Sequence, residues 1–166
     1  QNAVSYANGA IWWMGAEGGF FVFDGTVKSL PSLVEDFVFS TDGDNLGLNF
    51  DARDVIFSSP NNLYTEINWF YPKAGSEQID RCVTYNYSER VWTTSSLDRT
   101  SYQDQGVFDK PYATDYDSTA TPVFPDILGL TNKYGASIYY EHELGTDQVN
   151  STGTTAIPAF IRSGDY

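Results

Sequence analysis

Apolar and polar positions alternate over short runs along most of this chain, and turn-forming residues separate the runs. "AVSY", "AIWWMG" and "GFFVF" follow one another within residues 3–25, with Asn8-Gly9 between the first two and Asp24-Gly25 after the third. Period-two alternation is typical of strands, and Asn-Gly is the strongest short hairpin signal. The pattern therefore predicts an antiparallel meander, which continues into a short outgoing strand at Thr26-Val27.

A second meander is predicted between residues 53 and 96. Its strands are "RDVIFSS", "LYTEINWFYP", "IDRCVTYNY" and "RVWTTSS", with turns expected at 60–62, 72–77 and 86–89. The tetrapeptide Asn86 to Glu89 is polar and is open to two interpretations, a ligand site or a hairpin corner. We interpret it as a corner, because Asn and Ser side chains bond the nearby backbone in turns. Trp92, on the outgoing strand, is then expected to anchor the packing.

Other segments depart from this alternation. Ser32 followed by Glu35 matches a capping box and predicts one short helix near 33–39. Residues 40–49 and 98–127 have little periodicity and are expected to be loops. "ASIYYEHE" and "TAIPAFIRSG" are predicted strands on either side of a polar connection at 144–153.

The predicted fold class is all-β: antiparallel meanders forming propeller-like blades, with a sandwich as the alternative. The blade-like modules cover about 3–50, 53–126 and 128–166 of a single unit, 1–166. So few blades cannot bury both of their faces alone. We therefore expect an incomplete propeller or a piece of a longer protein.

Charge excludes some functions. Twenty-two acidic residues against nine basic ones give a formal charge of −13, which disfavours binding to nucleic-acid phosphates or to an anionic membrane.

Cys82 is the only cysteine, so no intrachain disulfide can form. Its place in an alternating strand predicts a buried, unreactive thiol.

His142, the only histidine, lies between Glu141 and Glu143. On a strand the histidine and the two glutamates would point to opposite faces, which is poor geometry for a metal triad. We predict a surface or interface histidine.

Residues 42–54 partly match a calcium-binding loop, with Asp42 and Asp44 at the first two ligand positions and Gly47 at the turn. Leu46 and Arg53 stand where further ligands are needed, so an acidic loop is the better interpretation. We predict no catalytic residue, no cofactor and no metal.

Aromatic residues make up 16% of the chain, which favours packing against other proteins. The candidate interface residues are Trp13, Trp69, Phe70, Tyr71 and Trp92. The same rings could stack on sugars, so a carbohydrate-binding β module or a receptor-binding tail protein is the alternative. A glycoside hydrolase, using two of the many carboxylates, is the third possibility.

Four segments, "AIWWMGAEGGFFVFDGTVKSLP", "EINWFYP", "VTYNYSERVWTT" and "SIYYEHELG", resemble in order and spacing the tail nozzle, tail-tube and packaged-DNA-stabilisation proteins of short-tailed bacteriophages. The resemblance implies propeller-like β domains in a structural virion protein made in the bacterial cytoplasm, with no membrane anchor. Its implied partners are other copies in a ring and other tail proteins. DNA would pass through without specific binding, since carboxylates repel phosphate.

Overall fold

The computed structural model describes residues 2–40, 47–106, 108–117, 136–143, 147–150 and 153–156. Two helical segments occur there, α1 (Glu35–Phe39) and a 3-10 helix (Phe50–Val55). The strands are β1 (Val4–Ala7), β2 (Ala10–Met14), β3 (Phe20–Phe23), β4 (Val27–Ser29), β5 (Phe57–Asn61), β6 (Glu66–Tyr71), β7 (Arg81–Asn86), β8 (Val91–Ser95), β9 (Ser101–Gln103), β10 (Tyr112–Asp117), β11 (Ala136–Glu141), β12 (Asp147–Asn150) and β13 (Gly153–Ala156).

The strands form antiparallel sheets, which confirms the all-β prediction. Sheet 1 has the order β1-β2-β3-β4, sheet 2 the order β5-β6-β7-β8, and sheet 3 the order β11-β10-β9, while β12 pairs with β13. Sheets 1 and 2 are the two predicted meanders. Sheet 3 combines strands from both sides of residue 127, where the sequence predicted a boundary between modules. The arrangement of the modules as propeller blades stays a prediction.

The hairpin turns explain why these runs of sequence pair. Asn8 and Gly9 both adopt positive φ, at 52° and 74°, as the tight turn between β1 and β2 requires. At the β7–β8 corner, Asn86 Oδ1 accepts hydrogen bonds from the backbone N–H groups of Ser88 and Glu89, at 3.0 and 2.9 Å. Residues 86–89 are therefore a hairpin corner, as predicted.

Sheets 1 and 2 share one core, which is built from aromatic rings. Phe20 of β3 is fully buried, and its ring centroid lies 5.1 Å from that of Trp69 on β6 and 4.6 Å from that of Trp92 on β8. Trp12 of β2 lies 5.9 Å from Tyr85 of β7. Tilted aromatic pairs at these spacings are favourable beyond the area that they bury. The two meanders thus stabilise each other.

Two tryptophan side chains of sheet 2 donate hydrogen bonds to backbone carbonyl oxygens next to sheet 1. Trp69 Nε1 donates to the carbonyl oxygen of Ala3 at 3.2 Å, and Trp92 Nε1 donates to that of Pro31 at 3.1 Å. In addition, the backbone N–H of Ser58 on β5 donates to the carbonyl oxygen of Asn2 at 2.9 Å. Strand β1 consequently lies beside β5, and Trp92 anchors the packing as predicted.

The third sheet covers the other face of sheet 2 at β6. Phe70 of β6 is fully buried, with its ring 4.6 Å from Phe57 on β5 and 5.5 Å from Tyr102 on β9. Strand β6 is therefore covered on both faces within this chain, whereas β8 at the edge of the sheet is largely exposed.

The helix prediction is confirmed in place but not in detail. Helix α1 has Val34 at its N-cap position with no side-chain capping bond. Ser32 Oγ instead accepts from the backbone N–H of Val34, at 3.2 Å. The predicted capping box is wrong, because the helix begins two residues too late for Ser32 to reach it.

Several predicted loops and strands are also wrong. Residues 98–127 were expected to be a loop, yet β9 and β10 lie there; both pair across a sheet despite their polar composition. Pro60 and Asn61, expected in a turn, close the strand β5, an edge position in the sheet ladder where proline is tolerated. Residues 53–55 are part of the 3-10 helix rather than a strand, and β12 lies within the expected connection 144–153.

Candidate interaction surfaces

Sheet 1 presents an apolar face to solvent, here called the outer face. Across the four strands Tyr6 stands opposite Ile11, Ile11 opposite Phe23, and Phe23 opposite Val27. The exposed fraction of these side chains ranges from 41% for Ile11 and Phe23 to 69% for Tyr6. A contiguous row of four exposed apolar side chains on a sheet is unusual, because such a face normally packs on something.

A second row completes the outer face. Val4, which is 52% exposed, stands opposite Trp13, and Trp13 stands opposite Phe21. The rings of Trp13 and Phe21 stack with 5.5 Å between centroids, and both are half-buried. Neither row contains an acidic or a basic side chain. The exposed side chains together present on the order of 500 Å² of apolar surface, near the upper end for a single patch on a monomeric protein.

The strands of sheet 1 form this face because both of their sides are apolar. In β2 and β3, Trp12, Phe20 and Val22 point into the shared core, and the alternate positions point outward. Alternation places Trp12 and Trp13 on opposite faces. An apolar strand of this kind indicates that both faces are meant to be covered.

The predicted interface residues lie in three different settings. Trp13 is on the outer face, whereas Trp69, Phe70 and Tyr71 have no exposed surface at all. Trp92 is half-buried in the core between sheets 1 and 2. The rings of Trp69, Phe70 and Tyr71 are thus covered by this chain itself and are not available to another molecule.

The remaining outer-face residues were missed by sequence reasoning. Tyr6, Ile11, Phe23 and Val27 stand out only when the strand register is known, because the register brings them into one row. The available signal was the lack of polar residues at alternate positions in "AIWWM" and "GFFVF".

An open groove of about 870 Å³ lies near the β1–β5 junction and extends to sheet 3. The phenol ring of Tyr102 and the side chain of Phe57 contribute apolar surface, and Asp54, Glu77 and Asp115 contribute carboxylates. Of the residues that the structure describes, no lysine, arginine or histidine lines it. The groove is suited to a neutral polyhydroxy ligand or a cation, and unsuited to an anion.

His142 follows the end of β11 and accepts a hydrogen bond at Nε2 from Arg99 Nε, at 3.0 Å. Its ring meets that of Tyr102 edge-on at 5.2 Å. Burial, followed by the charge of Arg99, lowers the pKa of His142 to about 4. The imidazole is therefore a neutral acceptor at neutral pH, in a half-buried position rather than fully on the surface.

The sequence also singled out Cys82 and the acidic loop at 42–54 as candidate positions. Cys82 is 1% exposed, and burial raises the pKa of its thiol to about 12, which confirms an unreactive residue. Asp42 and Asp44 lie outside the described residues. Gly47 has a packing role, because a Cβ there would meet the carbonyl oxygen of Ser40. Among the described residues no three His, Cys, Asp or Glu side chains converge as a metal site.

Comparison with known proteins gives no family for the chain. No protein-family model matches it, and no curated protein does. In the residues that the structure describes, none of the helices has the length and apolarity needed to cross a membrane.

Proposed function

We propose that this chain is a structural protein of a short-tailed bacteriophage tail, a nozzle, tail-tube or DNA-retaining component that works as an assembly of copies around the path of the genome. The observation that carries the proposal is the outer face of sheet 1, a two-row apolar surface without charge. Four of its side chains are aromatic: Tyr6, Trp13, Phe21 and Phe23. The sequence resemblance to tail proteins supplies the virion context.

The occupant of the outer face is another copy of this chain in the proposed ring. A stable protein interface buries roughly 800 Å² per partner, so the outer face would supply its apolar centre and neighbouring polar residues its rim. An uncharged contact is also the one that copies carrying −13 each can make without direct repulsion. The carboxylates elsewhere on the surface would keep phosphate away from the protein.

The assembly is tested by sedimentation and native mass spectrometry at protein concentrations up to about 100 µM. The double variant Ile11→Lys/Phe23→Lys places two charges in the centre of the outer face and should dissociate the assembly. Leu33→Lys is the matched control, because Leu33 is 93% exposed and lies outside both rows. A wild-type chain that stays monomeric at this concentration, or an assembly that survives the double variant, contradicts the proposed contact.

The virion context is tested separately. Antibodies against the chain should label the tail in purified particles of the phage that encodes it, and peptides of the chain should be found in those particles. Filter binding with duplex DNA at about 0.1 M salt should show no retention. Particles without the protein would refute the proposal of a tail component.

The groove supports a second candidate, a carbohydrate-binding module. The groove combines an aromatic ring with amide, hydroxyl and carboxylate side chains. Such groups can pack against a sugar ring and form hydrogen bonds with its hydroxyl groups. A glycan array separates the two proposals. Specific binding that Tyr102→Ala abolishes would favour the module, and a blank array would favour the tail protein.

A further inference from the structure

Two carboxylates from different sheets meet at one buried amide. Asn61 ends β5 and stands opposite Glu66, the first residue of β6. Its Nδ2 donates to Glu66 Oε2 at 3.3 Å and to Glu143 Oε1 at 3.1 Å. Glu143 follows β11, so the contact joins sheet 2 to sheet 3. Both carboxylate oxygens are within hydrogen-bonding distance of a single nitrogen atom.

No basic side chain in the described part of the chain neutralises this pair. Among the described residues neither Glu66 nor Glu143 has an ion-pair partner; the two ion pairs found there involve Asp24 and Asp80. Lys110 donates to the backbone carbonyl oxygen of Glu143, at 3.0 Å, and not to its carboxylate. Burial, and next the charge of Glu143, raise the pKa of Glu66. Glu66 is half-buried, whereas Glu143 is exposed. The like charge of Glu143 is costly to the buried carboxylate of Glu66 unless a cation or a proton joins the two groups.

The amide of Asn61 is incompletely bonded. The residue is 1% exposed, and its Oδ1 has no hydrogen-bond partner. A buried acceptor without a partner is rare in folded proteins and costs about 1–3 kcal/mol. Rotation of the amide by about 180° exchanges Oδ1 and Nδ2 with little change of shape. The rotation breaks both hydrogen bonds of Nδ2 and directs the oxygen toward both carboxylates, so it is favourable only when a cation lies between them.

We propose that Glu66, Glu143 and the Oδ1 of Asn61 form a binding site for a hard divalent cation, Ca²⁺. Carboxylate and amide oxygens are the ligands that calcium prefers, and water molecules complete its coordination of six to eight. Two carboxylates are few for such a site, so the affinity belongs with the weak calcium modules, whose Kd lies at about 10⁻⁴–10⁻³ M. The ion replaces the repulsion between the carboxylates with a bridge and so fastens sheet 3 to sheet 2.

Terbium, which takes calcium sites and luminesces when a nearby aromatic ring is excited, is the first probe. Tyr102 is the expected sensitiser, because the charges of Glu143 and Glu66 both help to raise the pKa of its phenol after burial, which places the ring close to the site. Terbium luminescence should saturate, and millimolar Ca²⁺ should displace it. In a thermal melt, Ca²⁺ at about 100 times Kd should raise Tm by about 5–10 °C.

The variants Glu66→Gln and Glu143→Gln should lose the luminescence and the thermal shift. Without calcium they should be at least as stable as the wild type, since each removes one of two repelling charges. Glu141→Gln is the matched control, an exposed glutamate two residues from Glu143, and should respond like the wild type. Asn61→Asp should lower the Kd for Ca²⁺ by about tenfold, because it supplies a third carboxylate.

Three results would overturn the site. They are the absence of saturable luminescence in the wild type, an equal loss of response in Glu141→Gln, and a thermal shift that sodium chloride at matched ionic strength reproduces. Circular dichroism of each variant shows that it is folded before its calcium response is compared.

Discussion

Removal of the Phe20 ring tests whether sheets 1 and 2 form one cooperative core. The side chain has no exposed surface, and its ring lies 4.6–5.3 Å from the rings of Trp92, Trp69 and Phe39. A buried Phe→Ala substitution costs about 3–5 kcal/mol in total, and the favourable aromatic contacts of Phe20 place it in the upper part of that range. Phe20→Ala should therefore destabilise the chain by about 4–5 kcal/mol and lower Tm by roughly 10–15 °C.

Urea unfolding followed by tryptophan fluorescence measures this loss, because Trp69 and Trp92 report directly on the contact. Phe23→Ala is the matched control: the same residue type on the same strand, but on the outer face and 41% exposed. It should cost only about 1 kcal/mol. If Phe20→Ala costs no more than Phe23→Ala, or if the two sheets unfold in separate transitions, the shared core is refuted.

Two further predictions concern single side chains. The folded pKa of His142 is about 4, below its ordinary 6.5, so the unfolded chain takes up the proton first and stability should fall as pH drops from about 6.5 to 4. Because solvent partly screens this half-buried ring, the loss in the free energy of unfolding is about 1–2 kcal/mol. His142→Gln should therefore make the free energy of unfolding in urea less dependent on pH. The same pH dependence in the variant and the wild type would contradict the lowered pKa of His142. Asn86→Ala removes the acceptor for two backbone N–H groups and should lower the free energy of unfolding by about 1–2 kcal/mol. The control Ser88→Ala, in the same turn, should lower it by under about 0.5 kcal/mol. Equal losses of stability would show that the corner does not depend on Asn86.

Local signals were sufficient to predict the two meanders. Asn8-Gly9 specifies a tight turn by backbone conformation, and Asn86 specifies another through its own side-chain bonds, so neither needs a distant partner. Helix α1 was predicted from the spacing of Ser32 and Glu35, although its first residue was misplaced. Such local rules act within a few residues, and this is the range over which the predictions are confirmed.

Strand β11 of sheet 3 was predicted correctly, but β9 and β10 could not be found by the same rules. In β9 and β10 the residues Ser101, Thr114 and Asp115 are polar, and the strands are specified by pairing rather than by an apolar stripe. The contact of Asn61 with Glu143 joins residues 82 positions apart, and no periodicity encodes it. The proposed calcium site was invisible in the sequence for this reason, whereas the loop at 42–54 attracted attention through spacing alone.

The difference between β6 and β3 shows what an apolar strand can and cannot reveal. In β6 the run from Ile67 to Tyr71 is buried at every position, because sheet 1 covers one face and sheet 3 the other. In β3 burial alternates, because Phe21 and Phe23 on the outer face of sheet 1 stay partly exposed. Both sequences carry apolar residues on both faces, so sequence predicts two covered faces in each case. The described part of the chain leaves the outer face of β3 partly exposed, and a second copy is the cover that the proposed assembly would provide.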